Sequence, residues 1–379
     1  MLYRSTCCDG GHYTLSADDT PRISAAVLDD LIKSTFDGTT FDRKKLLQET
    51  AQLFDLGVGK GYGKQLAKVG FNSPDWRMLT ELHYNVGVFA AFKNHNNIQD
   101  LVKLLKTKDG TLRNWNDFKT EARKLNATYN QRWLKTEYDQ AVTSARAARK
   151  WQDIERTKSI YPNLEYRAIG DDRTRQLHRN WHGMILPVGH TFWNTHYPPN
   201  DYGCRCTVRR TDRAVDEKGY DSKNMPDLSP QWNQNVGKTG KVFDSDHPYF
   251  KTQGFKDVAK FANKALLGMQ AVNIRQHLRA TAIGKTYTSP AGKVGVTGGS
   301  IKKLLRNNYH SNSLLWDLKG LLKNAVLVKS AANTKAANTM VVRYHYLKAR
   351  AGDGKEYYLN VRELKTGELI LYAITYGMK

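Results

Sequence analysis

The sequence predicts an α+β chain: a helical N-terminal region, a small α+β module, and a C-terminal domain of two helices and a four-stranded antiparallel sheet. Three observations carry this. Apolar residues recur three and four apart through long stretches before residue 155, as a buried helix stripe requires. After residue 325 short apolar runs alternate with polar residues and are separated by Asp353-Gly354 and Thr366-Gly367, as in a hairpin meander. Between these regions, residues 166–210 are too densely punctuated by Gly, Pro and Cys to be one regular element. The expected division is 1–74, a helical region; 75–250, the module-bearing part; 251–279, a helical linker; and 280–379, the terminal domain.

Residues 1–20 are polar and Gly-rich and read as a mobile end. Thr20-Pro21 opens a helix to about residue 33, and a second helix spans 42–56. The glycines from Gly57 to Gly63 then read as a flexible connector, with a phosphate-binding loop as the lesser alternative. That stretch follows a helix, not a strand, and lacks a Gly-Lys-Ser/Thr ending. Ser73-Pro74-Asp75 starts a further helix, with Leu79, Leu82, Val86, Phe89 and Phe92 in one stripe, interrupted at 94–97. A very long helix follows at 116–155, its Lys and Arg residues read mainly as a solvated face. After residue 210 the chain becomes linker-like, and 255–278 is one more helix. In the terminal domain, helices at 300–306 and 314–323 precede strands at 325–329, 340–348, 356–364 and 369–376.

Composition bounds the function. At 379 residues, 40% hydrophobic and 25% charged, the chain suits a soluble globular protein of two or three domains. No apolar run approaches the roughly 18 residues that a membrane span needs, and the first residues lack a signal peptide's apolar core. The net charge of +23 attracts polyanions, so DNA, and for the terminal domain RNA, are the expected partners. Half of that excess lies in residues 276–379, where 17 Lys and Arg stand against 5 Asp and Glu, or +12. The four cysteines, Cys7, Cys8, Cys204 and Cys206, form adjacent and near-adjacent pairs, which suits a reducing compartment better than a disulfide framework.

Within 166–210 the landmarks run Asp171-Asp172, Arg175, His178, Trp181-His182-Gly183, Phe192-Trp193, Pro198-Pro199-Asn200 and Cys204-Arg205-Cys206. One of the two aspartates is expected to cap a short helix carrying Arg175 and His178, which Gly183 ends. Pro198 to Asp201 is a rigid turn, and Cys206-Thr207-Val208 enters a strand. Cys204, Cys206, His178 and His182 offer thiolate and imidazole ligands for zinc, while packing of small thiols beside the Pro-Pro turn is the other reading. Asp172, Arg175 and His178 are read as an ion-pair and hydrogen-bond set fixing the loop, and Trp193 as core.

This order of landmarks resembles the phage Mu F-like family of minor head, or head morphogenesis, proteins. The resemblance implies a role in capsid assembly and in DNA packaging or ejection. The implied partners are portal and capsid proteins, and the implied location is the virion head and the host cytoplasm. The terminal domain resembles, in element order, basicity and the segment 321–325, the barnase/EndoU/RelE-like ribonucleases of phage and polymorphic toxins. That likeness implies a metal-independent ribonuclease, with an immunity protein as a further partner.

For such chemistry His345 is the acid-base candidate and Arg343, two residues away on the same strand face, the phosphate contact. His310 and Thr375 are secondary catalytic candidates, and Lys302, Lys303 and Arg306 candidate nucleic-acid contacts. The competing readings are ordinary half-exposed sheet residues at 343 and 345, and a structural DNA-binding head protein whose basic terminal domain has no activity.

Overall fold

The computed structural model describes residues 22–218, 220–221, 228–305, 308–334 and 338–377. The expected mobile end with Cys7 and Cys8, and the candidate contact Arg306, lie outside the described residues. The chain is α+β, and it forms two compact units. One comprises residues 1–63 and 85–262, the other 64–84 and 263–379.

The first unit opens with α1 (Ala25–Asp37) and α2 (Arg43–Tyr62), the latter capped by the Asp42 carboxylate, which accepts from the Lys44 and Lys45 amides. The Gly-rich stretch is therefore the last part of α2 and not a connector. The reason is its partner. After α3 (Pro74–Lys103) and α4 (Trp115–Ala127) the chain makes a π-helical turn, Thr128–Trp133, and continues as α5 (Leu134–Thr157). Helix α5 presents Ala141 and Ala145 to Gly57 and Gly61. A Cβ on Gly61 would stand 2.1 Å from the Val142 carbonyl oxygen, so the two backbones approach only because both helices are small there. Helix α3 also runs unbroken through the expected interruption. Asn94 is buried and exchanges a hydrogen bond with Thr50, and Asn97 donates to the Asn126 side chain, so polar residues that look like a loop find partners on other helices inside the core.

Beyond α5 comes a three-stranded antiparallel sheet of order β2-β1-β3, made of β1 (Asn163–Arg167), β2 (Ile185–Pro187) and β3 (Thr207–Thr211). Helix α6 (Gln176–Asn180) and helix α7 (Phe192–Thr195) sit in its connections. Trp151 and Ile154 of α5 pack with Leu164, Tyr166, Trp181 and Trp193 in one buried cluster. Trp193 is core, as expected, and donates to the Pro187 carbonyl at 3.0 Å. The Pro198-Pro199 bond is cis. Helix α8 (Val236–Thr239) closes on Trp151: a Cβ on Gly237 would lie 2.1 Å from that tryptophan's own Cβ. Helix α9 (Phe255–Thr281) follows.

The second unit holds a six-stranded sheet of order β4-β5-β9-β8-β7-β6. The four expected strands are β6 (Val326–Ala332), β7 (Val341–Arg350), β8 (Glu356–Leu364) and β9 (Leu369–Thr375), joined as an antiparallel meander. The hairpin β4 (Thr286–Ser289) and β5 (Gly292–Gly295) was not expected, and β5 extends the sheet by pairing parallel with β9. Between hairpin and meander run α10 (Gly298–Leu304), α11 (Tyr309–Ser313) and α12 (Leu318–Lys323). Residues 64–84 are tied into this unit. The Phe71 amide donates to Asp317, the Trp76 indole to the Ser313 carbonyl, and the Gly352 amide to the Phe71 carbonyl.

Candidate functional site

In the first unit the landmarks of 166–210 converge. Helix α6 begins after Arg175, which makes no side-chain cap, so the expected aspartate cap is absent. Asp171 turns instead to the other loop. Its carboxylate receives the Arg205 guanidinium at 2.7 and 2.5 Å and the Thr174 hydroxyl at 3.0 Å. The Arg205 hydrogen bonds hold the Asp171 carboxyl well below the usual carboxylate range. Arg175 completes a second tie, with Nε 2.9 Å from the Asp201 carboxylate and Nη2 donating to the Tyr202 carbonyl. Two ion pairs thus fasten the loop before α6 to the loop before β3. The loop-fixing role falls to Asp171 and Arg175, with Arg205 and Asp201 as the partners that sequence reading missed. Gly183 ends the turn after α6 with φ +85°, as expected.

Inside that clamp His178, Cys204 and Cys206 meet. Their ligand atoms lie within 4.8 Å of one another. His178 Nδ1 is 3.8 Å from Cys204 Sγ and 3.5 Å from Cys206 Sγ. His178 and Cys204 are buried, Cys206 is half-buried, and the imidazole stacks on Trp181 at 5.6 Å. The Tyr166 hydroxyl, fully buried, borders Cys206 and accepts from Asn200 at 3.1 Å. Hydrogen bonding from Cys206 pulls the Cys204 thiol down, and the same contact pushes Cys206 up. The arrangement offers one imidazole and one or two thiolates to a soft cation. His182 is not part of it. Helix α6 stops at Asn180, so the four-residue spacing from His178 no longer shares a face, and His182 Nδ1 accepts the Ala168 amide at 3.2 Å.

In the second unit the structure brings His345 and Arg343 together around Glu363, a residue the sequence reading did not single out. His345 Nε2 is 3.0 Å from the Glu363 carboxylate, and Arg343 Nε is 3.8 Å from the same oxygen. On the other side His345 Nδ1 lies 2.8 Å from the hydroxyl of Ser330, its register partner on β6. His345 is only 9% exposed, so it is a buried, doubly bonded imidazole and not a half-exposed one. The other candidates lie elsewhere. His310 pairs with Glu81 at 3.1 Å, and the Thr375 hydroxyl donates to the Gly377 carbonyl. Lys302 is exposed. Lys303 stands 4.6 Å over the Tyr372 ring, which also carries the Arg362 guanidinium at 3.2 Å. The basic helix α10 and strand β8 thus share one aromatic side chain.

Comparison with known proteins separates the two units. Residues 88–209 match the family described as Phage Mu protein F like protein. This segment of the chain is similar to that family. It spans the second half of α3, then α4, α5 and the whole His178–Cys206 clamp. The putative capsid assembly protein F of Escherichia phage Mu is 39% identical over 83 residues, 22% of this chain and 19% of that protein. The Mu-like prophage FluMu F protein of Haemophilus influenzae is 40% identical over 79 residues, 21% of this chain and 19% of that protein. The chain therefore spans about a fifth of the length of these curated relatives. Residues 267–372 match the Large polyvalent protein-associated domain 3, a different domain from the ribonuclease family that the sequence suggested. No solved structure matches the chain. Among the described residues no helix is long and apolar enough to cross a membrane.

Proposed function

We propose that the chain acts in assembling a phage head, taking its place in the virion through portal and capsid proteins, with the Mu F-like segment as the part that docks. The observation that carries this is that the matched residues, 88–209, take in the packing of the end of α5 on the β1–β3 sheet around Trp151, Tyr166 and Trp193, together with the whole His178–Cys206 clamp. The relative in phage Mu is named as a putative capsid assembly protein. The test is a phage deleted for the chain and complemented with it. Heads that are fewer or empty of DNA, restored by complementation, together with the chain in purified particles, are the expected result. Normal, filled heads without the chain would refute the reading.

A second reading concerns residues 280–379, as a metal-independent ribonuclease with an immunity protein as partner. The imidazole of His345, held between Ser330 and the Glu363 carboxylate with Arg343 beside it, favours this. A general acid or base contributes typically ~10²–10⁴-fold. RNA digestion by the full chain in chelator should then fall by about that factor in His345→Ala. Absence of cleavage by the unaltered chain would leave the plain DNA-binding alternative for this domain.

A further inference from the structure

We propose that His178, Cys204 and Cys206 form a zinc site that ties α6 to the start of β3, with three protein ligands and a fourth position beside the Tyr166 hydroxyl. This is independent of head assembly and of any nuclease activity.

The geometry carries it. A zinc ion bound at about 2.0–2.1 Å to imidazole nitrogen and about 2.3 Å to thiolate sulfur, at tetrahedral angles, requires N···S edges of about 3.6 Å. The edges in the structure are 3.5 and 3.8 Å, both from the same nitrogen, His178 Nδ1. Both nitrogen-to-sulfur edges thus match a tetrahedral zinc, and all the ligand atoms lie within 4.8 Å of one another. They are held there by elements independent of any ion: the Arg205–Asp171 and Arg175–Asp201 pairs fasten the two loops, and Trp181 stacks on the imidazole. That support is what a binding centre needs if its first ligands are not to drift. Sulfur and imidazole donors select zinc or another soft first-row ion over magnesium or calcium. With only three side-chain ligands, the fourth position goes to water or to the Tyr166 oxygen, which borders Cys206. Each thiol that binds gives its proton to solvent, so loading releases protons.

The pattern also accounts for the spacing. Cys204 and Cys206 reach one point from a loop, because the chain turns at Asp201–Cys204 before β3 begins at Thr207. In an extended strand residues two apart share a face but stand about 6.5–7 Å apart. A Cys-x-Cys pair closing on one histidine is therefore a product of the clamp, not of the strand.

The experiment uses the full chain, reduced and reconstituted with zinc or with cobalt(II), with metal measured by mass spectrometry and thiols by titration. About one zinc per chain is expected, with thiolate-to-cobalt charge-transfer absorption and tetrahedral d–d bands for the cobalt form. His178→Ala, Cys204→Ser and Cys206→Ser should each lower affinity about tenfold or more. His182→Ala and the double variant Cys7→Ser/Cys8→Ser should retain the metal. His178→Cys, which keeps a third ligand, should restore binding if His178→Ala fails through misfolding. Reduced protein that takes up less than about a tenth of an ion per chain would overturn the proposal, as would metal that follows His182 or Cys7/Cys8. Cobalt spectra without sulfur charge transfer would also overturn it.

Discussion

Glu137→Gln should be among the most damaging single changes in the first unit, although it removes only a charge. Lys93 and Glu137, on α3 and α5, are both buried, with Nζ and Oε2 2.9 Å apart. The ammonium also donates to the Tyr129 carbonyl at 2.7 Å, within the π-helical turn, and lies 5.2 and 5.5 Å from the Tyr129 and Tyr249 rings. Burial pulls the Lys93 pKa down and pushes that of Glu137 up, and the ion pair opposes both shifts. Removing one partner strands the other charge in a dry site, which costs about 3–5 kcal/mol. At about 2–4 °C per kcal/mol for a unit of this size, melting should drop by about 10 °C. Hydrogen exchange read on α3 and α5 peptides assigns the loss to this unit. The matched double replacement Lys93→Met/Glu137→Leu should recover most of it, because an apolar pair leaves no charge unpaired. Lys93→Met alone should be milder in charge, since Glu137 can take up a proton, but it also gives up the Tyr129 carbonyl bond. If Glu137→Gln melts within about 2 °C of the unaltered chain, or the double variant loses as much as both singles added, the pair is not coupled and the reasoning fails.

Three further outcomes follow from the packing and charge of the chain. Gly61→Ala should destabilise by about 1–3 kcal/mol or more through its clash with the Val142 carbonyl, whereas Gly59→Ala, with nothing near its Cβ, should stabilise by about 0.5–1 kcal/mol; equal melting shifts of one sign would contradict the close helix contact. His247 is pushed down to about 4 by burial and then by the Lys93 charge, while Tyr202 and the Tyr249 amide hold its two nitrogens. The folded chain therefore binds fewer protons than the unfolded one between about pH 6.5 and 4, and stability is lost as pH falls through that window, by about 3 kcal/mol in total. His247→Gln should flatten that part of a stability–pH curve, and an unchanged slope would assign it to other groups. DNA binding by a chain of net charge +23 should weaken steeply with salt and depend little on sequence; affinity constant from low to high salt would exclude an electrostatic interface.

What the sequence made legible depended on whether the deciding partner was near in the chain. The stripe from Leu79 to Phe92, the long helical stretch ending in α5 and the four strands after residue 325 rest on local periodicity, and they were readable. The glycines at the end of α2 were not, because what makes them helical is the pair Ala141 and Ala145, some eighty residues on. The Asn94–Asn97 run fails for the same reason, since its partners Thr50 and Asn126 stand on other helices. The hairpin β4–β5 is short and Gly-rich, and it extends the sheet through a parallel pairing with β9 that no local signal announces.

The site shows the same division at finer grain. Residue type and spacing pointed to His178, Cys204 and Cys206, because thiol and imidazole side chains clustered in 45 residues are uncommon. They also pointed to His182 as a fourth ligand, and here the length of α6 decides. Five residues make little more than one turn, the helix stops short of His182, and its ring is spent on the Ala168 amide. At the other end of the chain the alternation correctly put Arg343 and His345 on one face. It could not supply Ser330 and Glu363, which reach His345 only through the register of β6 and β8. A metal centre or a catalytic centre built from one element and its register partners is thus half visible in a single sequence. The half that is missing is the set of cross-strand and loop-to-loop contacts that decides whether the visible residues are free to react. Here those contacts bury His345 between two partners and leave the thiol–imidazole group with its ligand atoms facing one another.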